Sequence, residues 1–333
     1  MKLRDIYEKV VELGRARDPR DASEINAELA DRNKTYNELK DIRRETYDTE
    51  CLRNPYADTR ILYGDPEIDV KRVMLGIDIE GPELLLADKL REKGSGPDLV
   101  IAHHPEGHAL ARLADVMGMQ AVILSLYGVP INVAEDLMAA RIREVDRAIA
   151  PANHLRSVDI ARILNIPMMC VHTPADNHVT AYLKEKFDKQ KPRKVRDAID
   201  FLYTHEEYRA SARAGSPVSV VVGDENRRAG KVFVDMTGGT SGSVKIYEKL
   251  AQAGVGTIVT MHIPEEHRKQ AEEHHVSVVI AGHIASDTLG MNLLLDELCR
   301  KESLDIIACS GFIRIDRTKE RKKAKAGKQK GRK

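Results

Sequence analysis

The sequence predicts an α/β fold: two similar α/β lobes with a metal site in the cleft at the strand carboxyl ends, plus a helical N-terminal extension. Three observations predict it. Short apolar runs alternate with amphipathic stretches of helical period, the order that builds parallel sheets through right-handed crossovers. One such run, Asp98-Leu99-Val100-Ile101-Ala102, ends in His103-His104-Pro105, and the carboxyl edge of an open α/β sheet is where ligands bind. The second half of the chain repeats the strand–helix–strand order of the first, down to its exit. There Ala102-His103-His104-Pro105-Glu106-Gly107-His108 is echoed by Met261-His262-Ile263-Pro264-Glu265-Glu266-His267.

Residues 1–70 read as the extension. Leu3, Ile6, Val10 and Leu13 recur at helical spacing in charged sequence, and a second stretch holds Ile25, Leu29, Tyr36 and Leu39. Gly64-Asp65-Pro66 then breaks the pattern. The first lobe, 71–180, opens on a strand over 72–78, a helix from Gly81-Pro82 to Gly94, and the strand that delivers His103 and His104. Pro105 is placed to start the next helix at its first position, where a missing N–H costs nothing. Helical sequence with breaks at Pro130 and Pro151 leads to a strand over 166–172 and a loop through Asp176 to His178. Residues 181–230 are expected to connect the lobes by charged helix and the start of a hairpin. Its arms are Val218–Val222 and Lys231–Asp235, around Gly223-Asp224-Glu225-Asn226. The second lobe, 231–316, continues through a small-residue loop, Gly238-Gly239-Thr240-Ser241-Gly242-Ser243, to a helix and a strand ending near His262. A last short strand delivers Gly282-His283 into a helix with Met291, Leu294, Leu295 and Leu298 on one face.

The bulk numbers bound the function classes. A chain of 333 residues, 42% hydrophobic and 32% charged, has room for two lobes. No apolar run approaches the roughly 18 residues of a membrane span, and Met1-Lys2-Leu3-Arg4-Asp5 leads into charged sequence without a signal-peptide core. Four cysteines stand far apart with no CxxC pair, which suits reduced thiols and a cytoplasmic location. With no Trp and four Phe, no base-stacking platform is advertised. The net charge of +1 hides an asymmetry: residues 317–333 carry ten Lys or Arg against one acid, so the body is acidic and the tail basic. The tail has no apolar face and is expected to be disordered. It would contact nucleic acid or anionic surfaces without sequence preference, or serve only to solubilise.

The chemistry sits at the strand ends. Five of twelve histidines (His103, His104, His172, His262, His283) are expected there, the placement that converges imidazoles on one sheet edge. His283 and Asp287 are four apart where a helix begins, so their side chains share one face. His103, His104, Asp176, His283 and Asp287 together supply three imidazoles and two carboxylates. That donor set suits Zn, Mn, Fe or Co at a dinuclear centre, with Asp176 as the natural bridging carboxylate. His172, His178, His262 and His108 are candidate proton carriers, which the sequence does not rank. The Gly238–Gly242 loop can be read as a phosphate cradle or as a tight turn that lets lobes pack closely.

The order Val-Ile-Ala-His-His-Pro (100–105), His-Thr-Pro-Ala-Asp (172–176) and Gly-His-Ile-Ala-Ser-Asp (282–287) resembles the Ngg-one-interacting-factor-three-like (Nif-three-like) proteins, often labelled "GTP cyclohydrolase one type two". The resemblance runs from about 70 to 315, broken over 180–230. It implies that His103, His104, Asp176, His283 and Asp287 match the family's dinuclear ligands, and that the chain assembles into a ring-like homohexamer. Departures are visible. Asp287 stands where the family usually has Glu, Pro174-Ala175 interrupts the usual His-Thr-Asn-Leu-Asp, and Thr260-Met261-His262 replaces Thr-Gly-Asp/Glu. DHH phosphoesterases also use His-His at a strand end, but Ala102 occupies the position where they need Asp.

The function expected from these residues is that of a dinuclear metal-dependent hydrolase, GTP cyclohydrolase-like, acting on a nucleotide-like or other small phosphorylated or heterocyclic substrate. The alternative of another class is a metal-binding, metal-trafficking or regulatory interaction protein without turnover. Chelator-sensitive turnover separates the two.

Overall fold

In the computed structural model, which describes residues 1–318, the apolar runs form short strands: β1 Arg60–Tyr63, β2 Arg72–Gly76, β3 Leu99–Ala102, β4 Met168–Cys170, β5 Ser219–Val222, β6 Lys231–Asp235, β7 Val255–Thr260, β8 Ser277–Ile280 and β9 Asp305–Cys309. They divide into two sheets, ordered β1-β4-β3-β2-β9 and β5-β8-β7-β6. In each, three successive strands run parallel and the strand preceding them closes the edge antiparallel, β1 on β4 and β5 on β8. The repeat read from the sequence is thus a repeat of topology, four strands against four. β9 is an addition, parallel to β2.

The parallel strands are apolar throughout because both faces are covered. One face of the first sheet packs on the helices Leu3–Ala16 and His283–Leu298, through Ile6, Val10, Leu294 and Leu295. Its other face packs on Gly81–Glu92 and Arg156–Ile163. The second sheet lies between Met119–Leu126, Ile131–Ile149 and Ile246–Gln252 on one side and Thr173–Gln190 and Val195–Leu202 on the other.

Several expectations need correction. The helices Met119–Leu126 and Ile131–Ile149 lie within 71–180 yet pack on the second sheet, and β9 lies within 231–316 yet joins the first. The chain therefore interleaves its two cores, because an apolar period says which residues are buried but not against which sheet. The expected hairpin does not form either. β6, apolar and buried, pairs parallel with β7 through a helical crossover, which leaves half-buried β5 to pair with β8 at the edge. After His104 the helix begins at Gly107, not at Pro105. The N-terminal helix is a layer of the first core rather than an appendage, whereas Ala22–Glu38 buries only Ile25. No helix among the described residues is long and apolar enough to cross a membrane, and the four cysteines are free. The basic tail expected from the sequence lies, from residue 319 on, outside the described residues.

Two helices occupy equivalent places: Thr173–Gln190 follows β4 and His283–Leu298 follows β8. They pack side by side at the join of the lobes. Gly290 permits this approach, since a Cβ there would sit 2.4 Å from the carbonyl oxygen of Ala175.

Candidate metal centre

Each of those two helices opens on the same motif. His172-x-x-x-Asp176 begins one and His283-x-x-x-Asp287 begins the other. At a spacing of four, ring and carboxylate share a face, and the same separation recurs: His172 Nε2 to Asp176 Oδ2 is 3.6 Å, and His283 Nε2 to Asp287 Oδ2 is 3.6 Å. The topological repeat therefore brings two copies of a His/Asp pair together where the helices meet. β3 adds His103 and His104. The backbone N–H of His103 donates to Gly76 O and that of His104 to Ile77 O, which holds both residues in strand-like pairing beyond the end of β3. Their rings both turn toward the helix starts, with centroids 5.4 Å apart.

The far nitrogen of three rings is anchored. His103 Nδ1 donates to Val171 O at 2.9 Å, His104 Nδ1 to Asp78 Oδ1 at 2.6 Å, and His172 Nδ1 to Asp58 Oδ2 at 2.8 Å. Asp58 also accepts from Thr173 Oγ1 at 2.6 Å and is fully buried. Each bond places the proton on Nδ1 and leaves Nε2 as a lone-pair donor toward the centre. This is the outer arrangement that orients metal-ligating histidines.

Five buried atoms of the cluster have no hydrogen-bond partner: His103 Nε2, His104 Nε2, Asp176 Oδ1, and both carboxylate oxygens of Asp287. Buried polar atoms are rarely left so. Their separations are too long for hydrogen bonds: His103 Nε2 lies 3.5 Å from Asp176 Oδ1 and 3.5 Å from Asp287 Oδ1, and His104 Nε2 lies 3.4 Å from Asp287 Oδ2. A tetrahedral ion with ligands at about 2.1 Å needs an edge of about 3.4 Å. Two groups satisfy the geometry for holding an ion, His103/His172/Asp176 and His103/His104/Asp287. His103 is common to both, and each aspartate presents its two oxygens to different rings.

Electrostatics agree with a centre built for cations. Burial acts to raise Asp287, and the rings of His103, His104 and His283 outweigh it, holding its carboxyl well below the usual range. Burial acts to lower His172, and Asp176 with Asp58 outweighs it, holding the ring above its ordinary value. His283, close to other rings, is pushed down to about 4, chiefly by burial.

The cluster borders a cleft. Asp58 and Thr59 hold His172 from the N-terminal side, and His172, Asp176, His283 and Asp287 all line this cleft of about 440 Å³, its open mouth included. The ends of β6 and β7 and the 237–241 loop line that cleft. His262 stands in it, its ring centroid 5.0 Å from that of His283, with its pKa lowered by burial. The glycines of the loop answer to packing: a Cβ on Gly238 would meet Gln120 Cγ at 2.7 Å, and Gln120 Nε2 donates to Gly238 O and Thr240 O. The tight-turn reading of this loop is the one its contacts explain.

The structure thus gathers His103, His104, Asp176, His283 and Asp287, all expected from the sequence. Three of the proton-carrier candidates fall in different places. His172 sits inside the cluster with ligand geometry. His178, one turn further along its helix, points away: its Nδ1 donates to Pro174 O at 2.7 Å and it lines a separate cavity beside Arg17 and Tyr182. His108 is likewise outside, 3.8 Å from Asp48. Sequence reasoning missed Asp58 and Asp78. Asp78 had a signal, its position as the last residue of a predicted strand, and His172-x-x-x-Asp176 had the same spacing that marked His283 and Asp287. Asp58, in a loop of the extension, had none.

Fold and site define an α/β protein of two pseudo-repeated lobes, with His/Asp groups at their join that could hold two metal ions. In that fold the chain matches the NIF3 superfamily protein from Sphaerobacter thermophilus, at 28% identity over 86% of this chain and 98% of that one, with a TM-score of 0.67. This is the family that the three sequence segments resemble. More distant likenesses are to reduced HcgD from Methanocaldococcus jannaschii (17% identity, 74% of this chain and 87% of that one, TM-score 0.44) and to a Bacillus cereus protein related to NIF3 (12%, 77% and 92%, TM-score 0.39). No protein-family model matches the sequence, and no curated protein does.

Proposed function

We propose that this chain is a dinuclear metal-dependent hydrolase, GTP cyclohydrolase-like in class, acting on a nucleotide-like or other small phosphorylated or heterocyclic substrate. The observation that carries this reading is the set of five unpartnered buried donor atoms facing one another beside a cleft. His172 and Asp176 would hold one ion and His104, His283 and Asp287 the other, and the single free nitrogen of His103, which faces both groups, would go to one of them. Bound divalent ions would supply Lewis acidity toward water and toward a substrate oxygen. The chain's own residues do the rest. Asp58 and Asp78 fix the rings they touch, Thr59 and the N-terminal segment exclude water from behind, and Thr240 and Ser241 line the cleft a substrate would enter. His262 is the proton carrier that position favours, since its ring lies in the cleft beside His283 and outside both ligand groups.

The test has two readings. Elemental analysis of anaerobically purified protein is expected to give two transition-metal ions per chain. A screen of nucleotides and phosphoesters is expected to show turnover that a chelator abolishes and metal restores. Two ions without turnover across the screen would replace the hydrolase by a metal-binding role, and fewer than one ion per chain would overturn the metal centre itself.

A further inference from the structure

Asp235 ends β6 at the wall of the cleft. Its carboxylate receives no hydrogen bond and no ion pair among the described residues, unlike the aspartates of the cluster, which face imidazoles. It is half-buried, and burial alone pushes its carboxyl up to about 6, with no neighbouring cation or donor to offset the effect. No side chain among the described residues uses this carboxylate, which leaves it available to a cationic group in the cleft. Asp235 lines the same cleft as His283 and Asp287. Asp235 pairs in register with Thr260 of β7, and Thr260 with Ile280 of β8, two residues before Gly282-His283. Two strand spacings, about 10 Å, therefore separate its backbone from that of the His283 segment. Thr240 and Ser241 line the cleft with them.

We propose that Asp235 is the specificity residue of this cleft and receives the ammonium group of a small amine-bearing substrate whose other, anionic end lies at the His/Asp cluster. This rests on the reading of the cluster as the metal-binding end. It adds that the substrate carries charges of opposite sign at its two ends.

The experiment uses two probes that differ only at the end facing Asp235: O-phosphoethanolamine and 2-hydroxyethyl phosphate. Binding of each to the full chain is measured by calorimetry, zinc-loaded and after chelator treatment. The zinc-loaded wild type is expected to bind the amine at least tenfold more tightly, Asp235→Glu to keep a preference, and Asp235→Asn to bring the two probes within about twofold. Asp235→Asn is close in shape, and a melting curve confirms that it folds. Equal affinity in the wild type, a preference that survives Asp235→Asn, or no binding of either probe would overturn the proposal. Equal but zinc-dependent binding would sink the role of Asp235 while sparing the cluster. An Asp235-dependent preference that ignores the chelator would spare Asp235 and sink the metal reading.

Discussion

The one free nitrogen of His103 faces both groups that could hold an ion, and the ion that takes it loses a ligand when it is removed. His103→Ala is expected to lower the bound metal. His205→Ala, in a helix connection far from the cluster in the chain, should leave metal content unchanged; elemental analysis checks both. Asp58 acts through His172. Asp58→Asn keeps the shape but can no longer accept from both the ring and Thr173 as an anion. Apparent metal affinity in a chelator competition should fall by about 10- to 100-fold, the usual cost of losing such a support. His205 itself reports on pH. Buried against Tyr182 and Leu202, it has a folded-state pKa lowered by burial. The unfolded chain, with imidazoles near 6.5, then binds the proton more readily than the folded one. The stability His205 contributes is therefore present above about pH 6.5 and is lost as pH falls below it. In chelator-treated protein, the drop in melting temperature from pH 7.5 to 5.5 should be smaller for His205→Gln than for wild type. An equal drop would remove His205 from the account.

The two helices after β4 and β8 are the elements on which the centre depends, and Gly290 is the point where they touch most closely. Gly290→Ala would drive a Cβ against the backbone of Ala175, one residue before Asp176, with no flexible side chain to yield. Overpacking of this kind costs roughly 1–3 kcal/mol. Here it should also separate the two His-x-x-x-Asp motifs, so that melting temperature and metal content fall together. A variant that melts lower yet keeps full metal content would show that the helices can part without opening the site. The glycine punctuation and the facing of His283 and Asp287 were legible in the sequence, because period and spacing fix them locally, whereas helix starts were not: the one expected at Pro105 begins at Gly107, and the loop expected through Asp176 to His178 is already helix. Strand partners were not legible either. β5 and β6 carry the alternating and apolar patterns of a hairpin, and only the competition of β7 and β8 for their edges decides otherwise.

At the scale of the molecule, the strap after β9 ties the chain's end back onto both lobes. Arg317 pairs with both oxygens of Glu207, whose side chain is fully buried, and Arg314 pairs with Asp296. Removing one partner of a buried pair leaves the other charge uncompensated. Arg317→Ala is expected to destabilise the fold by on the order of 3 kcal/mol, whereas a chain ended after Thr318 should melt as the full chain does. Any salt-sensitive binding of nucleic acid by the basic residues should be lost in that truncated chain. Equal melting of the Arg317→Ala variant and wild type would show the strap to be dispensable.

By itself the sequence determined the class of fold, the internal repeat, and five of the residues at the centre. Each of these is written in short-range terms: apolar period, residue type at a strand end, and a spacing of four. Tertiary structure alone decided that the lobes trade helices and a strand, that His172 stands among the ligands while His178 does not, and that Asp58 reaches it from the N-terminal segment. It also decided which residues line the cleft, and so left Asp235 facing it without a partner. The reason is physical. A side chain's neighbours along the chain set its local conformation, but its hydrogen bonds, burial and charge environment come from segments a hundred or more residues away, and these meet only when the two sheets close on the paired helices.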